Sequence, residues 1–277
     1  MTSLAERLGF GPDDRIMIVN CDDIGSSHAC NVAAERAMRE GWATSATLMV
    51  PCPWAREAVD RFKDLDVGVH LTLTAEYPDY RWRSLTGAKS LHDADGYLPT
   101  TIQEVFRNAR LEDAEAECRA QIDQALAWGI DVTHIDNHMG ALSYDARFSQ
   151  LALKLAIDYD LPMRLGSASA EQKAGIFARA PATDAGRLYP DRFVMQWGRP
   201  SRDVLHEMLP ALRPGVTEFC MHPVEDGPEL QGYDKTQAWI RTHDYACLMD
   251  EELRALVKKA DAKLISYRPL RDAMRKQ

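Results

Sequence analysis

An unbroken apolar run, Ile16-Met17-Ile18-Val19, flows into Asn20-Cys21-Asp22-Asp23-Ile24-Gly25 near the start of the chain. A strand without polar alternation needs cover on both faces, a condition met in parallel sheets flanked by helices. The run therefore predicts a β/α architecture built around this first strand. Two adjacent carboxylates stand at its end. At an effective dielectric of ~20 and a separation of ~5 Å two such charges repel by roughly 3 kcal/mol. A partly buried Asp22-Asp23 pair therefore needs either a proton on one carboxyl or a bound cation.

The same pattern recurs along the chain. Ser26 or Ser27 is placed to cap a helix through Asn31 to Glu40, which Gly41 closes. Further strands are expected at Ser45–Val50, Val67–Thr72, Val132–Asp136, Met163–Leu165, Phe193–Met195, Val216–Met221 and Lys263–Ser266. Helical spacing separates them, at Trp54–Phe62, through Ile122, Ala125, Leu126 and Ile130, and at Phe148–Tyr159, Ser201–Leu212 and Glu251–Lys259. About eight β/α steps without a linker predict one domain over 1–277, a single distorted (β/α) barrel of TIM-barrel-like α/β class. A doubly wound open sheet is the competing topology. Two excursions interrupt the pattern, near 74–100 and 223–245; long loops inside compact domains are usually functional.

Composition narrows the partners. A formal net charge of −9 disfavours nucleic acid and anionic membrane surfaces, and no apolar run approaches membrane-spanning length. The start, Met1 to Leu8, has neither the basic flank nor the apolar stretch of a secretory signal. Six cysteines, Cys21, Cys30, Cys52, Cys118, Cys220 and Cys247, are scattered with no C-x-x-C spacing, which argues against a zinc knuckle or a disulfide framework. The expectation is a cytoplasmic protein with reduced core thiols, acting on a small molecule, with homo-oligomerisation left open.

In a β/α barrel the C-terminal strand ends converge on one mouth. Four of these ends carry metal-ligating or acid-base residue types: Asp22-Asp23, His70, His134-Ile135-Asp136-Asn137-His138 and His222. The H-x-D-x-H stretch has period two, so in extended form His134, Asp136 and His138 face one way. One carboxylate and two imidazoles with open positions are the usual minimum for a catalytic divalent metal. Zn²⁺, Co²⁺ or another first-row ion suits such nitrogen ligands better than Mg²⁺ does. Asp23, His70 and His138 are put forward as ligands. Each feature has a plainer reading alone: an Asp pair caps helices, His70 on an apolar strand is a core histidine, and His222 before Pro223 is a turn residue. Their coincidence at four strand ends favours a site. His28, His92, His206 and His243 fall in helices or loops and are expected at the surface. A response-regulator receiver also places acidic residues after its first strand, but this chain is far longer and has His70 where the phosphoacceptor Asp would end the third strand.

Four ordered segments resemble the YdjC-like carbohydrate deacetylases: Val19-Asn20-Cys21-Asp22-Asp23-Ile24-Gly25 with Asn31, Gly68-Val69-His70-Leu71-Thr72-Leu73-Thr74, Thr133-His134-Ile135-Asp136-Asn137-His138, and Cys220-Met221-His222-Pro223. The resemblance implies a distorted barrel shared with polysaccharide deacetylases. It also implies Asp23, His70 and His138 as ligands of a divalent metal, Asp22 as catalytic base and His222 as acid. The implied reaction is metal-dependent hydrolysis of an acetyl group from a small N-acetylated sugar or glycoconjugate. His134, Asp136 and Arg241 are additional candidates. The chain departs from many relatives in following the fourth-strand motif with Met139-Gly140-Ala141 rather than further histidines, and that departure bears on substrate preference. Aromatic residues of the excursions, Tyr77, Tyr80, Trp82, Trp197, Tyr233 and Trp239, are candidates to stack on sugar faces. Arg81, Arg83, Arg164 and Arg241 would serve an alternative phosphoester chemistry at the mouth. Hydrolysis of a different amide or ester bond, or sugar binding without catalysis, would also suit such a barrel.

Overall fold

The protein is described by a computed structural model covering residues 2–195 and 197–276. Among the described residues, seven strands form one parallel sheet: β1 (Arg15–Ile24), β2 (Ser45–Leu48), β3 (Val67–Leu71), β4 (Ile135–Asn137), β5 (Arg192–Val194), β6 (Gly215–Met221) and β7 (Ala262–Leu264). Their order is β4-β3-β2-β1-β6-β5, with β7 paired to the first residues of β1. The sheet curls into a half-barrel. Beyond β4 it continues through a single bridge between Ile135 and Met163, followed by a bond from Met163 N–H to Leu188 O. The expected strand at Met163–Leu165 is thus reduced to that bridge, because Pro162 has no N–H to donate to a ladder.

The two faces of the curled sheet are chemically different, and strand parity explains why. On β1, Met17, Val19 and Cys21 face the helical layer and join the main core, whereas Ile16 and Ile18 point inward and pack with Val216, Tyr267 and Leu270. Val67, Val69 and Leu71 of β3 likewise face the helices. The inward positions then become polar toward the strand ends: Asn20 and Asp22, Ser45 and Thr47, His70, Asp136 and Glu218 are all buried. The barrel has an apolar floor and a charged upper interior.

The helix His28–Arg39 begins where Ser27 accepts a hydrogen bond from Cys30 N–H, so of the two expected caps Ser27 is the one used. β4 starts three residues later than expected, since Thr133 bonds instead to Val67 O and to Asp66. The helix from Ser201 ends at Met208 and gives way to a 3₁₀ turn, Leu209–Ala211, at Pro210. The second excursion is largely helical, with Pro228–Tyr233 and Ala238–Leu248. The latter helix lacks an apolar signature because its buried face includes Arg241 and Asp244 beside Ile240 and Leu248. A C-terminal helix, Arg268–Arg275, adds to the expected elements; it buries Leu270 and Met274 and ties Arg271 to Asp131.

Candidate metal centre and active site

Asp22 and Asp23 are consecutive, so in a regular strand their side chains would face opposite layers. Here both serve the interior. Between Cys21 and Ile24, β1 advances three residues while β2 advances two, from Ala46 to Leu48, which is a β-bulge. Asp23 sits within it at φ 70, a left-handed backbone that a short polar side chain tolerates better than most. Parity turns Asp22 inward, and the bulge brings Asp23 around beside it.

His70 and His138 meet Asp23 there. His70 Nε2 is 3.3 Å and His138 Nδ1 3.2 Å from Asp23 Oδ1, and the donor atoms of the three residues all lie within 4.8 Å of one another. Among the described residues no hydrogen bond reaches Asp23 Oδ1, although the atom is buried. Its partner oxygen Oδ2 accepts from Arg241 Nη1 at 2.8 Å. The outer nitrogen of each ring is fixed by a carboxylate: His70 Nδ1 donates to Asp136 Oδ1 at 2.7 Å, and His138 Nε2 to Glu76 Oε2 at 2.9 Å. Those bonds fix the ring orientations and aim His70 Nε2 and His138 Nδ1 at the same oxygen, so that both present lone pairs there once the rings give up their second protons, the arrangement usual around metal-ligating histidines. The residues fit a divalent cation.

The titration of these groups follows from the same contacts. Burial works against protonating His70, but Asp136 outweighs it and raises the ring to about 10. Burial likewise opposes protonation of His138, and Glu76 with Asp23 raises it to about 9. Burial pushes the Asp23 carboxyl up, yet His138, His70 and Arg241 hold it well below the usual carboxylate range.

Asp22 lies next to this trio, with Oδ2 4.0 Å from His70 Nε2. Arg164 grips it through two hydrogen bonds, 2.7 Å to Oδ2 and 2.8 Å to Oδ1, and also reaches Asp136 Oδ2 at 2.7 Å and Glu218 Oε1 at 2.6 Å. Burial raises the Asp22 carboxyl, but the guanidinium prevails and keeps it far below the usual range. On the neighbouring strand end, His222 Nε2 stands 3.9 Å from Asp22 Oδ2. Asp244 accepts the His222 backbone N–H at 2.8 Å and lies 3.9 Å from the ring Nδ1, while the edge of Trp197 packs on the imidazole. Burial lowers His222.

The remaining candidates divide. Asp136 supports His70 and contacts Arg164; it lies outside the three residues around Asp23 Oδ1, but its carboxylate groups with Asp22 and His70 within 4.8 Å. His134 lies deeper, its ring stacked on Tyr267 at 3.7 Å, and it belongs to none of the metal-ligating groups among the described residues. It fits there because Gly68 has no side chain: a Cβ would stand 2.6 Å from the His134 ring. Arg241 holds Asp23 and donates to Tyr77 Oη at 2.6 Å. Arg81 and Arg83 do not line the cavity; they pack with Asp93 and Tyr97 in the first excursion. Of the aromatic candidates, Trp82 and Tyr233 are buried packing residues, and Tyr80 stacks on Tyr233. Trp239 is exposed away from the cavity, while Trp197 lines it and Tyr77 borders it. The surface histidines are exposed at His28 and His206, and half-buried at His92 and His243.

The cavity above these groups measures about 740 Å³, a volume typical of small-molecule sites. Sequence reasoning missed Glu76, Glu218 and Asp244. Glu218 sits at an inward position of β6, where parity with His222 carried the signal; Glu76 and Asp244 lie in the excursions and gave none.

Fold and site together define a distorted parallel β/α barrel with a candidate metal centre at the carboxyl ends of its strands. The chain belongs to the YdjC-like protein family, whose model matches residues 16–259. It is 34% identical to a carbohydrate deacetylase of Thermus thermophilus over 98% of this chain and 99% of that one. It is 31% identical to a carbohydrate deacetylase of Geobacillus stearothermophilus over 92% and 97%. Among solved structures, a putative cellobiose-phosphate cleavage protein from Enterococcus faecalis V583 superposes with a TM-score of 0.82 at 26% identity, covering 93% of this chain and 99% of that one.

Proposed function

We propose that the protein is a metal-dependent carbohydrate deacetylase that hydrolyses the acetamide of a small N-acetylated sugar or glycoconjugate in the cytoplasm. The observation that carries the reading is the buried Asp23 Oδ1 with two carboxylate-oriented imidazoles aimed at it, beside an ionised Asp22 and a neighbouring His222. The relatives named carbohydrate deacetylases, matched over nearly their whole length, support the substrate class.

Asp23, His70 and His138 would hold the cation, and the nitrogen-rich set favours Zn²⁺ or another first-row ion over Mg²⁺. When bound, such an ion supplies Lewis acidity toward a carbonyl oxygen and lowers the pKa of water. Asp22 stays ionised through Arg164 and takes the proton of the attacking water. His222 faces the same space from the neighbouring strand end, held by Asp244, and gives a proton to the departing amine. Burial disfavours its charged form, which makes a proton in transit easy to release. Trp197 and Tyr77 offer ring surface to the sugar at the cavity wall. Arg164 and Arg241 are both engaged by carboxylates, which counts against their serving a phosphoester.

The test is acetate release from a panel of N-acetylated mono- and disaccharides, after chelation and re-addition of Zn²⁺, Co²⁺ or Mg²⁺. Asp22→Asn is expected to keep bound metal and lose about 10²–10⁴-fold in turnover. Near-parental turnover would refute the role given to Asp22, and absence of metal-dependent release from any sugar would refute the activity.

A further inference from the structure

Of the three groups of ligating side chains among the described residues, two share His70, and the third adjoins them. Asp22, Cys220 and His222 offer donor atoms that all lie within 4.8 Å of one another. His222 Nε2 is 3.9 Å from Asp22 Oδ2 and 4.0 Å from Cys220 Sγ. Strand register brings them together: Asn20 and Cys21 pair with Cys220 and Met221, so the inward-facing ends of β1 and β6 run side by side. Bonds of ~2.0–2.2 Å to nitrogen or oxygen and ~2.3 Å to sulfur place ligands of a tetrahedral zinc ~3.3–3.8 Å apart. Small side-chain rotations therefore close this triangle on an ion.

Donor chemistry and charge both favour occupancy. Among the described residues this is the one metal-ligating group that contains a thiol, and a thiolate with an imidazole and a carboxylate selects Zn²⁺ over Mg²⁺. Asp22, Asp23, Glu76, Asp136, Glu218 and Asp244 surround the cavity floor, against the two guanidinium groups of Arg164 and Arg241. That surplus of carboxylate is more than one divalent ion neutralises. Arg164 already holds both oxygens of Asp22, so this site is the weaker of the two.

We propose that Asp22, Cys220 and His222 form a second, lower-affinity site for a thiophilic divalent cation such as Zn²⁺, and that filling it inhibits the enzyme by occupying its acid and its base. Binding forms a sulfur–metal bond and releases the Cys220 thiol proton to solvent, with no change of oxidation state. The inhibition rests on the functional reading above; the binding does not.

The experiment titrates metal-free protein with Co²⁺ and follows its absorption. The first equivalent is expected to enter the nitrogen and oxygen site without a thiolate-to-cobalt charge-transfer band, and the second to bring that band up. Cys220→Ser should lose the band and the second zinc equivalent in equilibrium dialysis while keeping the first; His222→Gln should weaken the second equivalent while retaining the first. In the acetate-release assay, excess Zn²⁺ but not excess Mg²⁺ should inhibit the parent. In Cys220→Ser, measured against its own uninhibited rate, the midpoint should rise by about tenfold or more. A thiolate band that persists in Cys220→Ser, or no thiolate band at any cobalt ratio, overturns the site. A filled second site with unchanged turnover overturns the inhibition. Should no acetylated sugar be cleaved, the proposed function fails and the cobalt titration still decides the site.

Discussion

Replacing Glu76 or Asp136 by its amide tests whether the two histidines are metal ligands held by carboxylates. Each carboxylate accepts the outer N–H of one ring, at 2.9 Å from His138 and 2.7 Å from His70. Loss of such a partner ordinarily lowers metal affinity about 10–100-fold, or ~1.4–2.8 kcal/mol. The structure ranks the two. The Glu76 side chain is 20% exposed and the Asp136 side chain fully buried, so solvent screens the first and not the second. Glu76→Gln should therefore fall near the tenfold end and Asp136→Asn near the hundredfold end. Asp136→Asn also removes one of the carboxylates around buried Arg164, so it should lower folding stability, while Glu76→Gln should barely change it. Metal affinity is read by competition with a chromophoric chelator, and stability by denaturant titration. Parental metal affinity in Asp136→Asn, or a larger loss in Glu76→Gln, would refute the assignment of these bonds.

Metal uptake should release protons. In the metal-free protein both rings are held above the ordinary 6.5, at about 10 for His70 and about 9 for His138. Binding near pH 7 should thus expel up to two protons, seen as a buffer-dependent heat in calorimetry, and affinity should rise with pH. Stability of the metal-free chain moves the opposite way. Raised folded-state values stabilise it fully below pH ~6.5, and that contribution is lost as pH rises through about 9 and 10, measurable as a falling melting temperature after chelation. Gly68→Ala would put a Cβ 2.6 Å from the His134 ring and its backbone carbonyl. It should cost ~1–3 kcal/mol or more by denaturant titration.

Much of this architecture is legible in the residues because parallel strands buried on both faces read as continuous apolar runs. Ile16 to Val19 announces itself in that way, as does Val67 to Leu71 but for His70, while Val216 to Met221 is interrupted at Thr217 and Glu218; a Ser26 or Ser27 cap and Gly41 bracket their helix. Candidate site residues were legible at strand ends: His70 and His222 stand out against apolar neighbours, and His138 through its period-two spacing with His134 and Asp136. The helix Ala238–Leu248 was hidden by its buried polar contacts, since burying Arg241 against Asp23 and Asp244 against His222 erases the apolar stripe by which a helix is recognised. Glu76 was hidden differently. It belongs to a segment without regular structure, and only the fold brings it across to His138.

The bulge at Asp23 shows where fold and chemistry conflict, and the conflict can be measured. A non-glycine residue at φ 70 costs ~1–3 kcal/mol, and a buried acceptor without a hydrogen bond costs a further ~1–3 kcal/mol. The metal-free chain carries the first penalty at every pH, and the second once the imidazoles facing Asp23 Oδ1 lose their protons at about 9 and about 10. A cation that binds the folded chain alone stabilises it by ~4.1 kcal/mol at a free concentration a thousandfold above Kd, enough to offset most of that cost. Melting temperature should therefore climb with added Zn²⁺ in the parent, and at higher zinc in Glu76→Gln. In Asp23→Asn and His138→Gln, which each remove a proposed ligand, the rise at low free zinc should be lost, leaving only what the lower-affinity site supplies at higher zinc. The ranking of Asp23→Asn against the metal-free parent is informative too: asparagine keeps the left-handed backbone but leaves Arg241 facing a neutral amide, so the variant should melt below the chelated parent. A parent whose melting temperature ignores zinc would mean that Asp23, His70 and His138 converge for structural reasons alone.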